Sequence, residues 1–204
     1  MKRIIKVIFG IIKWFLIASI TLVLLFKWFP VKYTLQMVKN GIEYHDDKEY
    51  NRFQYWIPLV DVSTPFQEAL VAKVDKDFYS HNGFRKGEIK DEVERLKNGD
   101  KKIQRCSTLS QEVANMVFTF NSSTWIRKGV EDWYTFLIEK IWGKKRILEV
   151  YLNIAEFGKG IYGIRAASNF YYNKDTSYLT DTELRHLLSH LQRPTSNCSQ
   201  NIKR

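Results

Sequence analysis

The chain has 204 residues, 45% of them hydrophobic and 15% aromatic, which is enough for one packed domain plus a short extra segment and excludes global disorder. Its net charge is +10, and five of the excess charges (Lys2, Arg3, Lys6, Lys13 and Lys27) lie in the first thirty residues, which contain no acid. The excess left elsewhere fits an anionic ligand, an anionic membrane surface or nucleic acid equally well, and the two cysteines, Cys106 and Cys198, are read as free thiols that assign no compartment.

Residues 7 to 29 form an apolar run long enough to cross a hydrocarbon layer of about 30 Å as a helix. Lys13 lies near one end, where its stem can reach the interface, and Trp14, Trp28 and Phe29 lie toward the ends, where interfacial aromatics collect. No small-x-small site follows the run, so it reads as a retained anchor rather than a cleaved leader. Lys2, Arg3 and Lys6 keep the N-terminus in the cytoplasm, which places the rest of the chain outside and removes nucleic acid as a partner. Three regions follow: 1–30 as cytoplasmic tip and transmembrane anchor, 31–62 as a juxtamembrane segment, and 63–204 as the folded domain.

Residues 31 to 45 read as a helix and Asp46 to Glu49 as a solvated turn. Phe53 to Val62, interrupted by Pro58, reads as an extended or single-strand segment. Ser63-Thr64-Pro65-Phe66-Gln67 predicts a helix start, with Thr64 as cap, Pro65 at the first position and Gln67 closing a capping box. Gly83 to Arg105 is charged and aperiodic and reads as a flap or a solvated loop. Thr108-Leu109-Ser110-Gln111 predicts a second capping box, with Leu109, Val113, Met116, Val117 and Phe120 on one face of the helix behind it. The free amides at that start, with Ser107 and Thr108, could cradle a phosphate, and capping alone explains the same residues.

Val130, Trp133, Tyr134, Leu137, Ile138, Ile141 and Trp142 recur at helical spacing. Arg127 and Glu131 fall within that apolar arc, one turn apart. Further helices are expected over 144–153, Ile164 to Tyr172 and Thr180 to Leu191, with Gly158, Gly160 and Gly163 as breakers. His186 and His190 are four apart, a spacing that can seat a metal, but with no third ligand in view no metal site is assigned. The chain reads as all-α, with no sheet of any size and no internal repeat.

Five blocks in order carry a resemblance: Asp75, Phe78, His81 and Gly83; Ser107, Thr108, Gln111 and Ala114; Arg127, Lys128 and Glu131; Lys144, Ile147, Leu148, Glu149, Tyr151, Leu152 and Asn153; and Gly163, Ala166, Ala167, Tyr171 and Tyr172. Together they resemble the peptidoglycan glycosyltransferases, in the monofunctional membrane-anchored form. The resemblance covers about Pro30 to Pro194, and its fourth block is the most specific. It implies a lysozyme-like, all-α fold beside the bacterial inner membrane, with the N-terminus cytoplasmic and the domain periplasmic. It implies polymerisation of lipid II, in which a first-block glutamate removes the proton of the acceptor 4-hydroxyl as undecaprenyl pyrophosphate leaves. The implied partners are lipid II, the membrane and proteins of cell-wall synthesis or division.

On this resemblance Glu131 is a catalytic residue, and His81, Ser107, Thr108, Gln111, Arg127, Lys128 and Asn153 bind substrate or pyrophosphate. The resemblance fixes no cofactor, and Mg2+ or Mn2+ is the candidate cation at the pyrophosphate. The sequence departs from the family pattern at Val74, which stands at the general-base position, at Asn115, where a lysine is expected, and at Arg85 and Arg105, where an aspartate and a glycine are expected. Asp75 is the candidate substitute base. The departures leave two readings open, a polymerase with a degenerate base and an inactive lipid II-binding or scaffolding member of the cell-wall machinery. A lysozyme-like hydrolase would have to rely on Glu131 alone.

Overall fold

A computed structural model describes residues 2–45, 53–85, 107–119 and 125–192. The Asp46–Glu49 turn, Arg105, Cys106, Cys198 and all of the expected flap beyond Arg85 lie outside the described residues.

Eight helices are present among the described residues: α1 (Lys2–Trp28), α2 (Leu35–Glu43), α3 (Thr64–Val74), α4 (Leu109–Phe118), α5 (Trp125–Ile141), α6 (Gly143–Ile154), α7 (Ile164–Tyr172) and α8 (Asp181–His190). The predominantly helical architecture agrees with the sequence pattern. The centre of the fold is α4, whose residues are buried on nearly every side, the polar Ser110, Gln111 and Glu112 included. It is packed against α2, α5 and α6. Leu109, Val113, Ala114, Ile138, Ile147, Val150 and Leu152 are fully buried around it.

A small sheet departs from the sequence expectation. Strands β1 (Phe53–Gln54), β2 (Glu156–Gly158) and β3 (Ile161–Tyr162) lie in the order β1-β3-β2. β1 runs parallel to β3, with Phe53 opposite Ile161, and β2 runs antiparallel to β3. Strands of two or three residues have no alternation to read, which is why the pattern concealed them.

The 31–62 stretch packs into the same core. Val31, Thr34 and Met37 are buried, and Asn40 Nδ2 donates to the Tyr162 hydroxyl at 2.8 Å. Asn153, at the end of α6, clasps the extended segment: Ile57 N–H donates to its Oδ1 at 2.7 Å, and its Nδ2 donates to the Ile57 carbonyl at 2.8 Å. The start of α3 also differs from expectation. Ser63 is the cap residue and caps without its side chain. Gln67 donates its amide to the carbonyls of Leu59 and Val62 at 3.1 and 2.8 Å. The 3-10 turn at Leu59–Asp61 brings those carbonyls within reach, so Gln67 closes that turn instead of a capping box.

Of the described helices, α1 is long and apolar enough to cross a membrane. Its C-terminal half is docked on the domain. Trp133 Nε1 donates to Ser19 Oγ at 3.0 Å, and Trp142 Nε1 to the Val23 carbonyl at 2.7 Å. Arg146 Nη2 donates to the carbonyls of Phe26 and Phe29 at 2.8 and 2.6 Å. Ser19 and Val23 are buried by these contacts, while most other α1 side chains are exposed.

Candidate active site

Two helix ends converge, the C-terminus of α3 and the N-terminus of α4, and α5 runs alongside α4, with Glu139 at Ser110 and Glu131 at Asn115. Val74 is the last residue of α3 and is 3% exposed, in the core. Asp75 is the C-cap of that helix, and its carboxylate is turned toward α4. One oxygen, Oδ2, accepts the Leu109 N–H at 2.9 Å and lies 2.9 Å from His81 Nε2. The other, Oδ1, accepts from Arg85 Nη2 at 3.1 Å. Gly83 N–H donates to His81 Nδ1 at 3.1 Å, so Nδ1 is the unprotonated nitrogen and Nε2 carries the proton it gives to Asp75.

The start of α4 is closed by its own side chains. Thr108 Oγ1 accepts the Gln111 N–H, Gln111 Oε1 accepts the Thr108 N–H, and the capping box expected there is complete. Thr108 Oγ1 also donates to the Gly83 carbonyl at 2.7 Å, tying the 75–85 loop to α4. The anion at this helix start is thus the Asp75 carboxylate, and Ser107 and Thr108 are buried beside it. Gly83 makes the approach possible: its φ is +85°, and a Cβ there would meet Thr135 Cγ2 at 2.8 Å and Glu139 Cγ at 3.0 Å.

The second cluster lies on α5. Glu131 is 2% exposed, inside the apolar arc as its spacing required. Its Oε2 accepts from Arg127 Nη1 and from Asn115 Nδ2, both at 2.9 Å. Its Oε1 is bonded to Lys128 Nζ, which also lies 3.4 Å from Asp132. Gln111 Nε2 reaches Asp132 Oδ1 at 3.5 Å and links this cluster to α4. Arg127 Nε is buried and has no hydrogen-bond partner among the described residues.

Five of the expected residues, Asp75, His81, Ser107, Thr108 and Gln111, therefore meet around the start of α4, and three more, Glu131, Arg127 and Lys128, lie further along it beside Asn115. Asn153 is fully buried and its amide is spent on Ile57 and on the Glu149 carbonyl. A third group escaped sequence reasoning. Glu139 accepts from Lys144 Nζ at 2.6 Å and is bonded to the Ser110 hydroxyl, and Lys144 sits 4.4 Å from the centre of the Phe78 ring. Glu131, Thr135 and Glu139 form one i,i+4 row, a signal present in the sequence but masked by the apolar stripe beside it.

The Mg2+ or Mn2+ that the resemblance allows does not fit these residues. A hard cation needs several oxygen ligands with free lone pairs, and Asp75 and Glu131 each already accept from three N–H donors. No group of three or more His, Cys, Asp or Glu side chains able to hold a metal occurs among the described residues.

Residues 40–204 match the transglycosylase family model. The chain is 37% identical over 185 residues to the biosynthetic peptidoglycan transglycosylase of Mannheimia succiniciproducens, covering 90% of this chain and 75% of that protein. It is 38% identical over 182 residues to the protein of the same description from Pseudomonas putida KT2440, covering 89% and 77%. With the Pseudomonas aeruginosa protein of that description it shares 34% identity over 195 residues, covering 95% and 84%. The chain belongs to the peptidoglycan transglycosylase family. The helical fold around α4 is accordingly the lysozyme-like fold of that family.

Proposed function

We propose that this transglycosylase-family protein binds lipid II at the junction of α3, α4 and α5, as a membrane-anchored component of glycan-strand assembly, and that its polymerising step lacks the usual general base. The observation that carries this reading is the state of the site's carboxylates. Val74 offers no proton acceptor, and Asp75 and Glu131 each already accept from three donors.

A sugar hydroxyl is a weak nucleophile that must lose its proton as the new bond forms, and loss of a general base lowers such rates by about 10²–10⁴. To take that proton Asp75 would have to act while also holding Leu109, His81 and Arg85. Its role in this reading is to hold the 75–85 loop against α4. Asn153 likewise serves the clasp on Ile57 rather than the substrate.

Binding is supported by Arg127. A buried guanidinium N–H without a partner costs free energy, and an anionic ligand such as the pyrophosphate of lipid II would satisfy it. Lys128, His81 and Gln111 line the same junction. The anchor in this reading is α1, with Lys2, Arg3 and Lys6 on the cytoplasmic side and the domain outside. A reporter fused after residue 40 tests that orientation, and a cytoplasmic signal would reverse it.

The deciding experiment compares polymerisation of labelled lipid II by purified full-length wild type and Val74→Glu, with lipid II binding measured in parallel. The expected result is comparable binding and at least a hundredfold more polymer from Val74→Glu. Equal polymerisation by the two proteins would overturn the base assignment. Binding without polymer from either would favour the scaffolding reading, to which Asn115 lends support because it fills, as a neutral donor to Glu131, the position where the family pattern expects a lysine.

A further inference from the structure

The last turn of α8 lies on an element that the site above does not use, and its two histidines are arranged with unusual economy. His186 and His190 are one turn apart, and their Nε2 atoms are 3.4 Å from each other. Two imidazole nitrogens bound to one tetrahedral zinc ion, each at about 2.0–2.1 Å, are separated by about 3.4 Å. The rings therefore already stand at the spacing of two corners of a metal tetrahedron.

Both rings are held by neighbours. The Tyr172 hydroxyl lies 2.5 Å from His186 Nδ1 and donates to the Glu183 carbonyl at 3.5 Å. With the Tyr172 oxygen accepting the His186 Nδ1–H, the lone pair of His186 stands on Nε2. This is the hydrogen bond that orients a metal-bound histidine and raises its basicity. The His190 ring stacks on Tyr171, with centroids 4.5 Å apart and 16° between planes. The two histidine rings meet edge to face at 4.6 Å.

We propose that His186 and His190 form a two-histidine site for a divalent transition cation of the zinc, nickel or copper class, with water in the remaining positions. Imidazole selects these ions over Mg2+ and Ca2+. Metal-free, one proton lies between the two Nε2 atoms. Binding moves the His190 proton to its own Nδ1, and no redox change or net proton release is required at neutral pH. Glu183 does not complete the site, because Lys174 Nζ and the Thr180 N–H and hydroxyl occupy its oxygens at 2.6, 2.8 and 3.0 Å.

A cation in this position would staple the end of α8. That turn is joined to the end of α3, since Lys73 Nζ donates to the Leu188 carbonyl at 2.5 Å.

The test is equilibrium dialysis of full-length protein in detergent against ZnCl2 and NiCl2, with wild type beside His186→Gln, His190→Gln and Tyr172→Phe. Each histidine variant should bind one ion fewer per chain than wild type, and MgCl2 in excess should not compete. Tyr172→Phe keeps both ligands and should weaken binding by about tenfold or more. Zinc should raise the wild-type melting temperature and leave the histidine variants unmoved, which also reports that the variants are folded. Equal ion counts in wild type and both histidine variants, or Mg2+ competing as well as Ni2+, would overturn the proposal.

Discussion

The carboxylate of Asp75 accepts the backbone N–H of Leu109 at 2.9 Å, across 34 positions of sequence. A buried acid thus fills the anion position at the start of the central helix and, through its other contacts, fixes His81 and Arg85. Asp75→Ala should lower stability by about 1–3 kcal/mol, the cost of leaving buried donors without their acceptor. Chemical denaturation of the full-length protein in detergent measures it. A loss below 1 kcal/mol would show that the carboxylate is not a structural clamp.

Gly83 is the second point on which the 75–85 loop depends. With φ at +85° and Thr135 Cγ2 only 2.8 Å from the place of a Cβ, Gly83→Ala combines backbone strain with a contact that must be relieved. The strain alone is worth about 1–3 kcal/mol. The variant should melt lower than wild type and lose lipid II binding in proportion, because Thr108 donates to the Gly83 carbonyl. A Gly83→Ala protein as stable as wild type would contradict this geometry.

Much of this is legible in the sequence. The capping box at Thr108 and Gln111 is encoded in four adjacent residues, so local chemistry sufficed to read it. The inward position of Glu131 followed from counting residues around a helix. The contacts that could not be read join residues distant in sequence: Asp75 with Leu109, Asn115 with Glu131, and Asn153 with Ile57. Each side chain has several possible acceptors or donors, and only the packing of α3, α5 and α6 around α4 selects one. The strands were concealed for a related reason, since Phe53 pairs with Ile161 across more than a hundred residues. Gln67 shows the opposite failure, a correct local motif overruled by nearer carbonyls.

Asn153 offers a clean separation of structure from binding. Asn153→Ala leaves both the N–H and the carbonyl of Ile57 without their buried partners, at about 1–3 kcal/mol for each group. The expected outcome is a protein several degrees less stable whose folded fraction binds lipid II with wild-type affinity. A specific loss of affinity at full stability would instead place Asn153 at the substrate.

Glu156 supplies a pH-dependent test. Burial raises its carboxyl above the usual range, only partly opposed by the Gly160 N–H and the Asn40 amide. The folded state therefore holds its proton to higher pH than the unfolded chain, so stability falls as pH rises from the ordinary carboxylate value through the raised one. Glu156→Gln should stabilise the protein at neutral pH and have little effect near pH 3. Denaturant midpoints of both proteins across that range give the answer. A benefit that grows toward low pH would have the wrong sign.

The bonds from Ser19, Val23, Phe26 and Phe29 to the domain cover about 15 Å of the α1 axis at 1.5 Å per residue. With α1 in a bilayer, as proposed, anchor and domain tilt and rotate as one rigid body. The elevation of the Asp75–Glu131 site above the lipid surface is then dictated by how α1 settles between the two interfaces. A thicker or thinner bilayer changes that settling through tilt. Membrane thickness thereby becomes a control on how easily a lipid-linked sugar reaches the site, a control that a flexible linker after Trp28 would have erased.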